Sequence, residues 1–437
     1  MPSINTIPVE LLIYIFEYCE PTSILDDTVQ LPTLESASTV CRRWRTTTLA
    51  APYLWKTIIL LNPRRHHVLM VQRWLERSAR CPLTLELSMD PEDAKLPALW
   101  TEIQHSMRDI LNLLVRHIHR WQSALLDLSQ FNSFPELPLS PDAAPLLESV
   151  EVGEEMTFPS EDASARFWHA LLLYPSLRNL IWRPVLNQDA FLGPSVYAQG
   201  WSKVTHLEGR FAIDDNFIHA LSRCWSLRSL DIFQTSSNPS PATAHQVIFL
   251  PHLRMLRFDT SSRQPLWFLD RLFLPRLEEL EIHPLQMQCR PLIDLLTRSS
   301  CSLDSIYFAF HSDFTSAEAL DDLFSLRAFS RLTELRFSAL GNSSDAVKGL
   351  TLRPDDNNCL PCVEAMFLGL QNCEDGLLEA MVKSRLGAQD SPFQYVWISH
   401  TLGEGEQDAE YEPKSSADAR FLEEICEEGF IVRYSGP

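Results

Sequence analysis

The stretch Leu277-Glu278-Glu279-Leu280-Glu281-Ile282 decides how this chain is read. Apolar residues stand at its first, fourth and sixth positions, with charge between them. Positions four and six lie two apart, the period of a strand that buries one face. The same pattern recurs at Leu147 to Val152, Leu177 to Trp182, Val204 to Gly209, Leu227 to Ile232 and Leu253 to Phe258. It recurs again at Leu303 to Phe308, Leu332 to Phe337, Val363 to Leu368 and Phe393 to Ile398. Successive copies start 23 to 31 residues apart. One such strand cannot bury its apolar face alone, so the copies must stack.

Between copies run helical patterns, at Ala163 to Tyr174, Asn216 to Trp225, Pro291 to Ser299 and Ala317 to Phe329. The expected fold is therefore α/β with parallel strands. The spacing resembles that of leucine-rich repeats, whose period is about 20 to 29 residues. That resemblance implies a solenoid with parallel strands on its concave face and helices behind. One departure is clear: the Asn or Cys that usually follows the repeat strand is absent from most copies, so its tight turn must be made otherwise. Several α/β units in ordinary parallel sheets are the alternative.

Alternation fixes which residues face outward. The fifth positions are Glu151, Ile181, Glu208, Asp231, Arg257, Glu281, Tyr307, Arg336, Phe367 and Trp397. The first half is mainly acidic. Arginine and aromatic residues dominate binding hot spots, which makes Arg257, Tyr307, Arg336, Phe367 and Trp397 the candidate substrate-binding residues. The competing expectation is that Phe367 and Trp397 are covered by long loops or by a C-terminal helix carrying Phe421, Leu422 and Ile425. Ser415 or Ser416 would cap that helix, after an acidic loop from Glu404 to Glu412, and Phe430-Ile431-Val432 would add a last strand.

Ahead of the copies, Thr57 to Leu60 reads as a first strand, Val68 to Arg80 as a helix, and Leu83, Leu85 and Leu87 as a second strand. A long helical pattern covers Leu99 to Trp121 and leads into Leu126-Asp127-Leu128; Asn132 to Pro145 reads as a Pro- and Ser-rich loop. The first 55 residues differ. Pro8 suits the start of a helix because it lacks an N–H, with Thr6 as a cap. Leu11, Leu12, Ile15, Phe16 and Cys19 then recur at helical spacing, and Pro21 stops the run. A second helical pattern spans Leu34 to Leu49, with Ala37, Val40, Cys41 and Trp44 on its apolar side; Pro52-Tyr53-Leu54-Trp55 follows as a turn. So small a unit has little core. It is either a docking module whose stripe meets a partner or a helical cap on the domain behind.

This stretch resembles an F-box. The matches are Ile7-Pro8, Glu10-Leu11-Leu12, Ile15-Phe16, Val40-Cys41-Arg42-Arg43-Trp44 and Leu54-Trp55, with a longer, more acidic middle from Glu20 to Pro32. The resemblance implies docking onto a Skp-type adaptor, and through it a cullin, within an SCF-type ubiquitin ligase. The adaptor contacts it implies are Ile7, Pro8, Leu11, Leu12, Ile15, Phe16, Val40, Cys41, Trp44, Leu54 and Trp55. Taken with the repeats, the whole resembles a fungal-type F-box substrate receptor. Expected domains are 1–56, the adaptor-binding module; 57–403, the repeats; and 404–437, the acidic loop with its capping helix and strand.

Other classes are disfavoured. A net charge of −20 is wrong for a nucleic-acid binder. The clusters Arg42-Arg43-Arg45 and Arg64-Arg65-His66-His67 read as solvated faces or protein contacts. No apolar run reaches the ~18 residues of a membrane span, and no signal peptide is apparent. The expectation is a cytoplasmic or nuclear protein with no membrane and no nucleic acid as partner. Gly is scarce, at 13 residues, and neither a phosphate-cradling loop nor an HExxH or GxSxG motif occurs. Cys359-Leu360-Pro361-Cys362 is a CxxC without the second pair a structural zinc needs; buried thiols are expected. Asp355-Asp356-Asn357-Asn358 lacks the Gly and Glu of a calcium loop, and His117 and His119 read as surface or capping groups. No cofactor, metal or catalytic residue is expected. Only six of the 37 basic residues are lysines, at 56, 95, 203, 348, 383 and 414; that suits a ligase subunit sparing itself, or a GC-biased genome. A scaffold outside any ligase is the alternative function.

Overall fold

The computed structural model describes residues 7–18, 33–89, 96–128, 131, 134–154, 160–184, 199–237, 247–260, 267–284, 289–311, 317–340, 343–352, 360–370, 373–387, 392–399, 418, 420–421, 424–425 and 431–435. The chain forms two compact units, Met1–Arg210 and Phe211–Pro437. The boundary falls inside a strand.

The first unit opens with α1 (Val9–Tyr18), α2 (Thr33–Val40) and α3 (Arg42–Ala50), then a 3-10 turn at Pro52–Trp55. Strands β1 (Thr57–Leu61), β2 (Leu83–Met89), β3 (Trp121–Leu128), β4 (Ser149–Val152), β5 (Asn179–Trp182) and β6 (His206–Ile213) follow. Each pairs in parallel with the next in chain order. Helices α4 (Arg65–Arg77), α5 (Pro97–Val115) and α6 (Glu161–Leu173) lie between them in sequence.

The second unit repeats the scheme with β7 (Ser229–Ser237), β8 (Ile248–Phe249), β9 (Met255–Thr260), β10 (Leu272–Phe273), β11 (Glu279–Pro284), β12 (Ser305–His311), β13 (Glu334–Leu340), β14 (Ala365–Leu370), β15 (Tyr395–Ser399) and β16 (Ile431–Ser435). Its sheet runs β7-β9-β11-β12-β13-β14-β15-β16, all parallel; β8 and β10 pair separately. Helices α7 (Asp215–Leu221), α8 (Cys289–Ser299), α9 (Ala317–Phe324), α10 (Ser344–Leu350) and α11 (Leu377–Leu386) supply its second layer.

The expected alternation is present: in copy after copy the first, fourth and sixth positions are buried, as in Leu277, Leu280 and Ile282. The turn ahead of each strand has its own chemistry. Leu177 N–H bonds back to Tyr174 O, Leu253 to Leu250, Leu277 to Leu274 and Val363 to Leu360, a three-residue closure each time. The next residue along is Pro175, Pro251, Pro275 or Pro361. Proline presets φ for the second position of such a turn and needs no donor there. Thus a buried residue followed by Pro-x-Leu or Pro-x-Val closes the turn that leads into these four strands.

The strand starts are joined by backbone. Glu148 O accepts the N–H groups of both Arg178 and Asn179, and Arg178 O those of Thr205 and His206. In the second unit Arg228, Arg254, Glu278, Asp304, Thr333 and Glu364 each offer a carbonyl to two N–H groups of the following copy in the same way.

The N-terminal helices pack onto this scaffold. Trp55 is fully buried; its ring meets Trp74 of α4 edge to face at 5.7 Å, and Arg77 of α4 lies over it at 4.3 Å. Arg77 also pairs with Glu35 of α2 at 3.3 Å. The helix expected over Leu34 to Leu49 is two helices. Cys41 sits between them with extended backbone (φ −158°), and its Sγ accepts the Trp44 N–H at 3.5 Å. A sulfur cap at that point starts α3 afresh.

Leu280 and Glu279 are neighbours on one strand facing opposite ways, so their substitution should differ. Leu280→Ala removes a buried side chain and should cost about 2–5 kcal/mol. Glu279→Gln, at an exposed position, should stay within about 0.5 kcal/mol. Urea unfolding of both variants checks this; a larger loss for Glu279→Gln than for Leu280→Ala would mean the face assignment is inverted.

Candidate functional site

Two surfaces carry the candidate residues. The first is the N-terminal module. Leu12 N–H bonds to Pro8 O, so Pro8 opens α1 as expected. Pro8, Leu11, Ile15 and Val40 are exposed, and Ile7, Cys41 and Trp44 are half-buried. Tyr14, Tyr18 and Tyr53 extend the exposed apolar surface; Tyr14 Oη donates to Tyr18 Oη at 3.0 Å. Leu12, Phe16, Leu54 and Trp55 are buried. Phe16 packs edge to face on Trp44 at 5.1 Å, and Trp55 Nε1 donates to Thr48 O at 2.9 Å. These residues build the module and are not on its surface. The Arg42-Arg43-Arg45 cluster makes an internal contact, since Arg43 donates to Ile7 O. Thr6, Cys19, Pro21 and the acidic middle from Glu20 to Pro32 lie outside the described residues.

The second surface is the outward face of the sheets. In the first unit Glu151, Ile181 and Glu208 are in register. Their acidity is offset, because Arg183 reaches Glu151 at 3.1 Å and Glu208 at 3.2 Å. In the second unit Asp231, Arg257, Glu281, Tyr307, Arg336, Phe367 and Trp397 form one in-register row.

That row divides chemically. Arg257 lies between Asp231 at 3.8 Å and Glu281 at 3.6 Å. Glu281 also bonds His283 at 2.6 Å. This bond, with Arg257 nearby, holds the Glu281 carboxyl below the usual range despite its partial burial. The Tyr307 ring packs on His283 at 4.5 Å, and burial raises its hydroxyl pKa. Farther along, Arg336 pairs with Glu334 and lies over Phe367 at 4.8 Å. Phe367 in turn meets Trp397 at 6.0 Å and Tyr395 at 5.4 Å. The structure thus gathers Arg336, Phe367 and Trp397 into one group and places Arg257 in a separate ionic one.

Phe367 and Trp397 are half-exposed. The expectation that a C-terminal helix covers them is overturned. Phe421 and Ile425 are buried, but Phe421 lies under Lys383 of α11 at 4.8 Å, and Asp418 accepts the Glu379 N–H at 2.7 Å. That segment packs on the helical layer. Leu422, the loop from Glu404 to Glu412 and Ser415 lie outside the described residues.

Sequence reasoning missed Tyr395, Ser305 and Glu279 on this face. They occupy third positions of their copies, two residues before the fifth, and alternation assigns them the same side. Reading one outward row per copy left the parallel row uncounted.

Chemistry is sparse elsewhere. No group of three or more His, Cys, Asp or Glu side chains that could hold a metal occurs among the described residues. No described helix is long and apolar enough to cross a membrane. Cys359 and Asp355-Asp356-Asn357-Asn358 lie outside the described residues. Cys362 corrects the expectation of a buried thiol: it is exposed, at the third position of the Leu360-to-Val363 turn.

The architecture is a small helical module followed by stacked parallel strands. Residues 4–61 match the F-box-like family model, so the chain carries an F-box-like domain at its N-terminal end. No curated protein matches the chain.

Thiol reactivity follows exposure. Burial pushes Cys289 up to about 12, and burial pushes Cys301 and Cys373 up to about 11. Cys224, fully buried, is raised further. At pH 8 these four stay protonated, three of them buried and Cys373 half-exposed, while the thiolate is the nucleophile. Brief iodoacetamide treatment of native protein should therefore label Cys362 and spare the other four, as read by peptide mass spectrometry.

Proposed function

We propose that this chain is the substrate-recognition subunit of an SCF-type ubiquitin ligase, docking a Skp-type adaptor, and through it a cullin, by its N-terminal module. The observation that carries this is an apolar stripe on a segment that matches the F-box-like family. Leu11 is 54% exposed, Ile15 42% and Val40 62%, on helices that bury Leu12, Phe16, Leu34 and Ala37 on their other side. Exposed apolar side chains grouped in this way mark an interaction surface. In this reading the strands form an irregular leucine-rich-repeat-like solenoid. Their outward face, above all Arg336, Phe367 and Trp397, holds the substrate protein. Ligase chemistry resides on other subunits, so the chain is not an enzyme, and it works in the cytoplasm or nucleus.

A second reading has one observation in its favour. The packing of Trp55 on Trp74 and the Arg77–Glu35 pair are what a helical cap on a scaffold would make. Co-purification separates the two. Full-length protein expressed in its native cell should bring down both adaptor and cullin. Leu11→Asp combined with Ile15→Asp changes only exposed positions, so the protein should stay folded. Loss of interface anchors commonly costs 2 kcal/mol or more, about 30-fold in affinity. Adaptor recovery from the folded double variant should fall by at least that factor. Unchanged recovery would favour the cap, and adaptor without cullin would favour a scaffold.

A further inference from the structure

Beside the row of fifth positions runs a second in-register row on the same face: Met255, Glu279, Ser305, Glu334, Ala365 and Tyr395. Ser305 is small and sits between two glutamates. The gap it leaves is a cavity of about 380 Å³, whose outward lining is Glu279, Glu281, Tyr307, Glu334 and Arg336. Such a volume lies at the small end of ligand-sized pockets, about 300–1,000 Å³.

The charge in this notch is unbalanced. Its described lining holds three glutamates against one arginine. That arginine is engaged already, because Arg336 pairs with Glu334 and lies over Phe367. Glu281 is engaged by Arg257 and His283. Glu279 is exposed on the opposite wall and keeps the notch net negative. The chain's charge of −20 adds a long-range field of the same sign. An anionic group would meet carboxylates on three sides; a cation would meet Glu279 and the Tyr307 oxygen.

One side of the notch is aromatic. Phe367 lies two strands beyond Ser305 and Trp397 three, with Tyr395 beside them. Neighbouring strands are about 4.8 Å apart, so measured across the sheet these rings stand about 10 Å and 14 Å from the strand of Ser305. A polyproline-type segment rises about 3.1 Å per residue and returns to one side every third residue, covering about 9 Å. A β-extended segment rises about 3.3 Å and returns to one side at the fourth, covering about 13 Å. Both reach an aromatic ring from the notch.

We propose that this face binds an extended, unmodified segment of a partner protein. Its Lys or Arg enters the Ser305 notch, and an aromatic or large aliphatic side chain three or four residues away rests on Phe367 or Trp397. The proposal deepens the substrate-face reading above and rests on it.

The test uses the full chain bound to its adaptor and a random twelve-residue peptide library displayed on phage. Enriched peptides should carry Lys or Arg three or four residues from Trp, Phe, Tyr or Leu, in either order. In fluorescence anisotropy their affinity should fall at least tenfold with Glu279→Lys, partially with the milder Glu279→Gln, and at least tenfold with Trp397→Ala. It should also weaken as salt rises. Retained adaptor binding shows that each variant is folded. Enrichment of acidic or phosphate-mimicking peptides, of peptides with no basic residue, or of none at all would overturn the proposal. So would binding that Trp397→Ala abolishes while Glu279→Lys leaves it intact, although the substrate-face reading would then survive. Peptide binding that neither Trp397→Ala nor Glu279→Lys alters would overturn both. Failure of the adaptor to co-purify would count against the ligase reading alone.

Discussion

A single backbone carbonyl per copy holds these sheets in register. Each second-position oxygen accepts two N–H groups from the copy that follows, from Arg228 through Glu364 in the second unit. Parallel strands have no hairpin to set their pairing, so another constraint must. The bifurcated acceptor fixes where each strand begins against its neighbour. The leucines at positions one, four and six then stack on leucines, and the fifth positions fall into line. A slip of one residue would turn Arg336, Phe367 and Trp397 inward and Leu335, Met366 and Val396 out. The outward row is therefore a consequence of the ladder as much as of the side chains in it.

Strand positions were legible because a period of two is hard to imitate, and Leu-x-x-Leu-x-Ile states both the buried face and the turn ahead of it. The first and last strands, at Thr57 and near Ile431, were legible instead as short apolar runs. The turn chemistry was equally present, as Tyr174-Pro175, Leu250-Pro251, Leu274-Pro275 and Leu360-Pro361, but it shows only when the copies are aligned one turn earlier. The N-terminal helices were harder. Leu11 and Leu12 are adjacent and alike, as are Ile15 and Phe16, and helical periodicity accepts either as the inner member. Tertiary packing chooses: Phe16 has Trp44 to meet, and Ile15 faces outward. The division within β6 had no sequence signal, since a strand can run straight through a boundary between compact units.

Arginine has a structural use here that bears on the scarcity of lysine. Arg120 donates to Leu75 O at 3.2 Å, Cys81 O at 3.0 Å and Ser78 Oγ at 2.6 Å. Arg385 places two donors on Leu350 O, the last carbonyl of α10, at 2.7 and 3.1 Å. Arg298 spans Leu269 O and Leu272 O. Helix ends leave carbonyls without internal partners, and stacked copies bury many of them. A planar guanidinium with several fixed donors satisfies such groups where an ammonium on a flexible stem would not. Arg77 does a related job, lying over Trp55 while pairing with Glu35. These sites account for some of the bias by packing, independently of codon usage or of any need to avoid modification.

The same packing explains how the N-terminal module can leave so much apolar surface in water. Three helices of 10, 8 and 9 residues are too short to be stable alone. Their internal contacts, Leu12, Phe16 and Trp44, make a small core. The larger contribution comes from Trp55, buried completely between α3 and α4. Because α4 supplies much of that burial, Leu11, Ile15 and Val40 are released from the work of stabilising the fold. An apolar stripe held open on a supported helix is pre-organised for a partner, which reduces the ordering cost of association. A module that depended on the same side chains for its own core would have to unfold in part to present them.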